Sequence, residues 1–271
     1  MSVAAPIVDF CVQAWSAWAP GLADAGAWRA WARAPHRPAG EGRPELPQYP
    51  MLLRRRAERL ARMALQTVAE VRTPAPCPMI YASPRGETAR AVPLLRELAQ
   101  TGQVAPGPFS LAVHNAVAGL ESIAHADTGS YGAIAAGGET AEAAIVEACT
   151  LLTDGVGSVI VTVYDELVPD CYRAYVEEPD APYAYSLRVG RTGGPRFELA
   201  WGQGARGTGH GARGDESPPN REAPDLPVPH APCPVPPALP PPLHALRFLL
   251  SDHPTHHHDG SHRRWTWRRA A

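Results

Sequence analysis

The sequence contains no lysine, and all 25 of its basic residues are arginine. A P-loop needs a lysine for its phosphates and a pyridoxal enzyme needs one for its Schiff base, so both classes are excluded. A serine–lysine hydrolase falls on the same ground. The abundance of Ala, Gly, Pro and Arg points to nucleotide composition as the cause of the depletion. Paired cysteines are also lacking. Cys11, Cys77, Cys149, Cys171 and Cys233 are odd in number, widely spaced and never arranged as Cys-x-x-Cys. That argues against a disulfide framework or structural zinc and fits a reducing, cytoplasmic compartment. No run of about 18 apolar residues exists, and no basic segment leads into an apolar one at the start, so neither a membrane span nor a signal peptide is expected. A charge surplus is missing too, and the net charge of −2 gives no push toward nucleic acid or membrane.

What is present is a chain of 271 residues, 45% hydrophobic, enough for one sizeable core or two small ones. Ile7 to Gln13 reads as a strand, followed by Trp15, Trp18, Trp28 and Trp31 as core or contact residues, with Asp24 capping a short helix. Leu52 to Val71 is the clearest helix, with Leu53, Ala57, Leu60, Ala64, Val68 and Val71 in one stripe. Met79 to Ser83 reads as a buried strand, and Thr88 to Gln100 as a helix capped by Thr88 and distorted at Pro93. Phe109 to Ala124 predicts a helix whose Val113, Val117, Leu120 and Ala124 face a core. Tyr131 to Ala136 predicts a short buried strand closed by Gly137-Gly138, and Ala141 to Leu152 a second amphipathic helix. Ser158 to Tyr164 is a nearly continuous apolar strand suited to burial on both faces. Ala184 to Val189 and Arg196 to Trp201 read as two antiparallel strands paired around Gly190 to Pro195.

Strands alternating with helices imply βαβ units, hence an α/β fold with a layered, mostly parallel sheet and helices on both faces. The composition changes near Gly202. Residues 1–201 are expected to form the domain. Residues 202–242, rich in Gly, Pro and charge without apolar periodicity, are expected to be a disordered linker. Residues 243–271 then carry a short helix from Leu243 to Leu250, an exposed His-rich loop, and the tail Arg263-Arg-Trp-Thr-Trp-Arg-Arg269, read as an amphipathic edge strand. The spacing of His253, His256, His257, His258, Asp259 and His262 matches neither a zincin nor a zinc finger, so no metal is expected. No cofactor motif is present either: Gly137-Gly138-Glu139 lacks the Gly-x-Gly-x-x-Gly form.

The order helix, short strand, glycine turn, helix carries a resemblance. Asn115-Ala-Val-Ala-Gly119, followed by Tyr131 to Ala136 and the turn, resembles the N-terminal half of a beta-ketoacyl synthase of thiolase-like fold. Ile80-Tyr-Ala-Ser-Pro-Arg-Gly-Glu87, the signature from Phe109 to Leu120, Ala135-Ala-Gly-Gly-Glu139 and the terminal Arg-Arg-Trp-Thr-Trp narrow it. Together they look like the short chain-length-factor proteins of aryl polyene biosynthesis clusters. By that resemblance the nucleophilic cysteine of a synthase falls at Gly138, within the degenerate turn Gly137, Gly138 and Glu139, so no catalytic residue is expected. The synthase's C-terminal half, with its paired histidines, is not expected here. The resemblance also places Phe109, His114, Asn115, Val117, Gly119 and Leu120 near a chain-length gate at a dimer interface, with Tyr131 on an edge strand that pairs across a two-fold.

Three functions follow as expectations. The first is a non-catalytic subunit that pairs with an active beta-ketoacyl synthase and sets product length. The second is a malonyl-carrier decarboxylase in which Glu139 works with histidines of a partner. The third is a binding module acting through the Arg/Trp tail. Arg54, Arg55, Arg56 and Arg59 lie off the apolar stripe, either as a solvated face or as a dock for an acidic partner such as an acyl carrier protein. Cys149 reads as an inert core thiol and His114 as a structural hydrogen-bonder.

Overall fold

Alternation within the central strands explains why one sheet carries two cores. In the computed structural model, which describes residues 6–204, 238–261 and 263–270, Ile80, Ala82, Val159, Val161 and Val163 face one apolar cluster. Met79, Tyr81, Ile160 and Tyr164 face the other. The elements are β1 (Ile7–Trp18), α1 (Ala25–Arg33), α2 (Met51–Arg56), α3 (Arg59–Val71), β2 (Met79–Ala82), α4 (Thr88–Thr101), α5 (Pro106–Phe109), α6 (Ala116–His125) and β3 (Tyr131–Ile134). They continue with α7 (Thr140–Thr153), β4 (Ser158–Asp165), β5 (Tyr183–Gly190), β6 (Arg196–Gln203), α8 (Pro241–Leu250), β7 (Thr255–Asp259) and β8 (Arg263–Arg269). The strands form one sheet in the order β3-β2-β4-β5-β1-β6-β8-β7. Residues of α1, α7 and α8 pack on one face, and those of α3 and α6 on the other.

The α/β class and the helices on both faces are as expected, but the sheet is mixed. Only β2–β3 and β2–β4 are parallel, and the other adjacent pairs are antiparallel. The reason lies in β1, which is longer than its apolar start suggests because Trp15 and Trp18 continue it. β1 runs antiparallel to β6 over Ile7–Cys11 and to β5 over Cys11–Trp18, so it separates the two strands expected to pair with each other. A bulge between Val12 and Ala14 marks the change of partner. There Gly194 lies so close to the Val12 carbonyl that a Cβ would collide with it.

Several helices are shorter than periodicity implies. The stretch 52–71 breaks at Ala57–Glu58 into α2 and α3, where the Arg62 guanidinium collects the carbonyls of Arg54, Ala57 and Pro44. The helix expected from Phe109 begins only at Ala116, with Asn115 at its N-cap. Phe109 ends the separate turn α5, in which Pro106 and Pro108 supply no amide donors, and Val113 is exposed. Thr88 is the first residue of α4, and Glu87 takes the cap position. Asp24 caps α1 as expected, accepting from Ala27 N at 2.9 Å.

The C-terminal residues join the same sheet. Gly202 and Gln203 still belong to β6, Leu239 is buried, and α8 starts at Pro241. The linker expectation therefore fails at both ends, and its middle lies outside the described residues. The His-rich stretch expected as a loop is the edge strand β7, paired with β8 through His256↔Trp267 and His258↔Trp265. The Arg/Trp tail is β8, an internal strand between β6 and β7. Trp265 and Trp267 face inward together with Arg269, whose guanidinium lies over the Phe197 and Phe248 rings, while Arg264 and Arg268 on the other face are exposed, the pattern of a sheet covered on one face.

Candidate functional site

Beyond β3 the chain makes one 3-10 turn, Gly137–Glu139, and enters α7. Gly137 has φ +52, a left-handed value that glycine adopts without strain. Thr140 closes the turn: its Oγ1 accepts from Ala136 N at 3.0 Å and donates to Gly137 O at 2.6 Å. Gly138 is half-buried, and a Cβ there would meet Glu178 Oε1 at 2.5 Å and Pro241 Cγ at 3.3 Å. The position that the resemblance gives to a nucleophile thus has no side chain, and one placed there would have to displace the exposed Glu178 carboxylate and press on Pro241.

The C-terminal strands cover this turn. Glu139 accepts from Trp265 Nε1 at 2.8 Å, from Ser261 N at 2.9 Å and from Ser261 Oγ at 3.0 Å. Burial alone would raise its carboxyl, but the Trp265 and Ser261 donors outweigh burial and hold it below the usual range. One helical turn on, Glu142 is 1% exposed and accepts from His258 Nδ1 at 2.9 Å and Trp267 Nε1 at 3.2 Å. Glu139 and Glu142, three residues apart at the start of α7, clamp β7 and β8 onto the turn. Trp265 and Trp267 are buried by this clamp, so they are not offered to a nucleic acid or membrane.

A second region lies at the opposite edge of the sheet. β3 is an edge strand in parallel with β2, and Tyr131 is exposed, where a buried strand was expected. Beside it a groove of about 340 Å³ brings together Arg56, Asn115, Gly119, Leu120 and Tyr131, with Val113 and Ile123 on its walls. A Cβ on Gly119 would meet nothing within 4 Å. Val117 and Leu120 belong to the α3-side core, and Val117 is fully buried. Phe109 is exposed, while His114 donates its Nε2–H to the Ser83 carbonyl at 2.9 Å and sits against Gly86. Among the expected docking arginines, Arg55 and Arg56 are exposed and Arg54 is half-buried. Arg59 is engaged in a two-pronged pair with Glu166 at 2.7 and 2.5 Å and with Gly40 O at 2.7 Å. Cys149 is buried, and burial pushes its thiol up to about 12, so it is no nucleophile.

With this geometry in hand, residues 28–268 match the family described as beta-ketoacyl synthase, N-terminal domain. The chain belongs to that family. No curated protein matches it. Among solved structures it is similar to a chain of the ketosynthase (ApeO) in complex with its chain length factor (ApeC) from Xenorhabdus doucetiae. That match has a TM-score of 0.75 at 23% identity and covers 97% of this chain and 100% of the other. The ishigamide ketosynthase/chain length factor gives 0.56 at 16% identity, covering 71% and 65%. A type II ketosynthase solved with its acyl-carrier protein and bound to the hexaketide gives 0.54 at 12% identity, covering 68% and 63%. At these identities the likeness establishes the ketosynthase fold, which accounts for the strand–turn–helix at Gly138.

Sequence reasoning missed the partners that shape the site of this ketosynthase-like domain: Glu142, Glu178, His258 and Ser261. The signal available was the pair Glu139 and Glu142 on one helical face together with the period-two Trp265 and Trp267. It also missed Glu121, 1% exposed, which accepts from Tyr49 Oη at 2.6 Å and pairs with Arg72 at 3.2 Å and His125 at 3.0 Å. That cluster ties α6, and so the groove, to α3.

The clamp has a pH signature. The hydrogen bond to Glu142 raises the His258 pKa, with Glu139 and Glu178 adding to it against burial. A histidine raised on folding stabilises fully below its unfolded value, and that contribution is lost as pH rises through the folded value. The His258 contribution to the urea midpoint is therefore expected to fall from mildly acidic to alkaline pH, while His244, lowered by burial, and His256, taken by burial to about 4, slope the other way. Burial raises Asp165 to about 6 and Glu87 to about 7, and both slope the same way as His258. The difference between wild type and His258→Gln isolates the clamp: it is expected to shrink toward alkaline pH.

Proposed function

We propose that this chain is a non-catalytic ketosynthase-like subunit, a chain-length factor, that pairs with an active beta-ketoacyl synthase in the bacterial cytoplasm. The pathway we assign is fatty-acid-like synthesis of the aryl polyene type, with an acyl carrier protein as the further partner, met through Arg55 and Arg56. One observation carries the reading: the turn that holds a thiol in a condensing enzyme is Gly137-Gly138-Glu139, closed by Glu178, Pro241 and the chain's own last strands. The exposed edge strand β3 and the groove beside Gly119 support pairing, because a strand edge with apolar neighbours is what a partner sheet extends. Glu139, held by three donors of its own chain, is an anchor of the tail in this reading rather than a decarboxylating group.

The test is co-expression with ketosynthases of the same genome, tagging this chain alone. Stoichiometric recovery of a cysteine-bearing synthase, with condensation only by the pair, is the expected result. A monomer that recruits none of them sinks the proposal, and so does carbon dioxide release from a malonyl carrier by this chain. Restoring the thiol should not restore the enzyme. Gly138→Cys is expected to lose only about 0.5–1 kcal/mol, because the exposed Glu178 carboxylate can swing aside and Pro241 must give by a few tenths of an ångström. Denaturant melts and a thiol-alkylation rate check it, the latter expected to show no fast-reacting thiolate.

A further inference from the structure

A groove remains on the α8 side of the sheet, far in sequence from the turn and from β3. It measures about 230 Å³ and is lined by Trp15, Leu187, Phe197, Leu246, Leu249 and Leu250. It lies at the β1 bulge, whose residues Val12 to Ala14 line one side. The extra residue, Gln13, donates its Nε2 to Thr192 O at 2.9 Å. The groove exceeds the roughly 150 Å³ engineered cavity that admits benzene, and at the roughly 25 Å³ per carbon this implies it holds about nine carbons.

A positive charge stands beside one lining residue, Trp15. The Arg29 guanidinium lies over the Trp15 ring, 5.4 Å from its centroid. Arg29 is exposed, and none of the ion pairs among the described residues uses it. An apolar slot with a guanidinium at its aromatic wall matches a ligand with an aliphatic tail and an anionic head. We propose that the groove between β1 and α8 binds a free straight-chain carboxylate of medium length, its tail against Leu246, Leu249 and Leu250 and its carboxylate on Arg29.

Calorimetric titration of the full chain with a series of saturated carboxylates tests this, with octanol as the neutral control. Saturable one-to-one binding is expected, strongest near eight to ten carbons, a length of about the groove's capacity. Arg29→Gln is expected to weaken octanoate about tenfold, the value of one charge-assisted hydrogen bond, and to leave octanol unchanged. Leu249→Trp, which fills the slot from a half-buried position, is expected to remove both ligands. Absence of saturable octanoate binding overturns the proposal. Binding that neither variant moves, or that ignores chain length, overturns it as well. Arg29→Gln lies on the surface, so it reports even where Leu249→Trp disturbs folding.

Discussion

Trp267→Ala is expected to destabilise the chain by about 3–5 kcal/mol, the cost of truncating a fully buried tryptophan. Trp267 is 1% exposed, meets the Phe10 ring edge-on at 6.3 Å and packs on Phe248 at the same distance. These contacts join β8 to β1 and α8, three elements widely separated in the sequence. The indole also donates to Glu142, a carboxylate whose second oxygen is buried without a partner among the described residues. Losing that donor leaves a buried charge held by His258 alone, which adds to the cavity term. Urea denaturation followed by circular dichroism reads the loss. Arg268→Ala on the outer face of the same strand is the control, expected within about 0.5 kcal/mol of wild type. If both variants melt alike, the tail is not the anchor described above.

The same strand shows how far the sequence could be read. Alternation in Arg-Arg-Trp-Thr-Trp-Arg-Arg announced a strand with a buried face, because a period of two is a local property. Its neighbours were not local. His256, His257 and His258 have no strand-forming pattern of their own, and they are extended because β8 gives them a ladder. β1 in turn separates β5 from β6 by pairings across about two thirds of the chain, which no window of residues contains. The parallel core β3-β2-β4 was legible, since each of its strands is a short apolar run bounded by turn residues. The degenerate turn was read through the resemblance, by counting from Gly129 to Gly138. Its closure was not, because Glu178 comes to it from one distant segment and Ser261 and Trp265 from another, the β7–β8 hairpin. Apolar periodicity also ran helices past their true ends: the stripe from Leu53 to Val71 continues through the Ala57–Glu58 break, since both halves bury the same face.

Ile123→Arg is expected to abolish recovery of the partner synthase while leaving the isolated chain as stable as wild type. The residue is 65% exposed on the outward face of α6, beside Gly119 and Tyr131 on the groove. In the free chain an arginine there reaches water and costs little. In the proposed pair it is carried into an apolar contact without a counter-charge, which costs about 3 kcal/mol or more, roughly a hundredfold or greater in affinity. The exposed Tyr131 on β3 allows an independent probe, since Tyr131→Arg puts the same charge on the edge strand without touching α6. His257→Arg on the far edge of the sheet is the negative control and is expected to recover the partner in full. Undiminished recovery with both Ile123→Arg and Tyr131→Arg would move the contact away from β3 and α6. It would leave the open edge of this sheet, and the space at Gly119, without the role assigned to them.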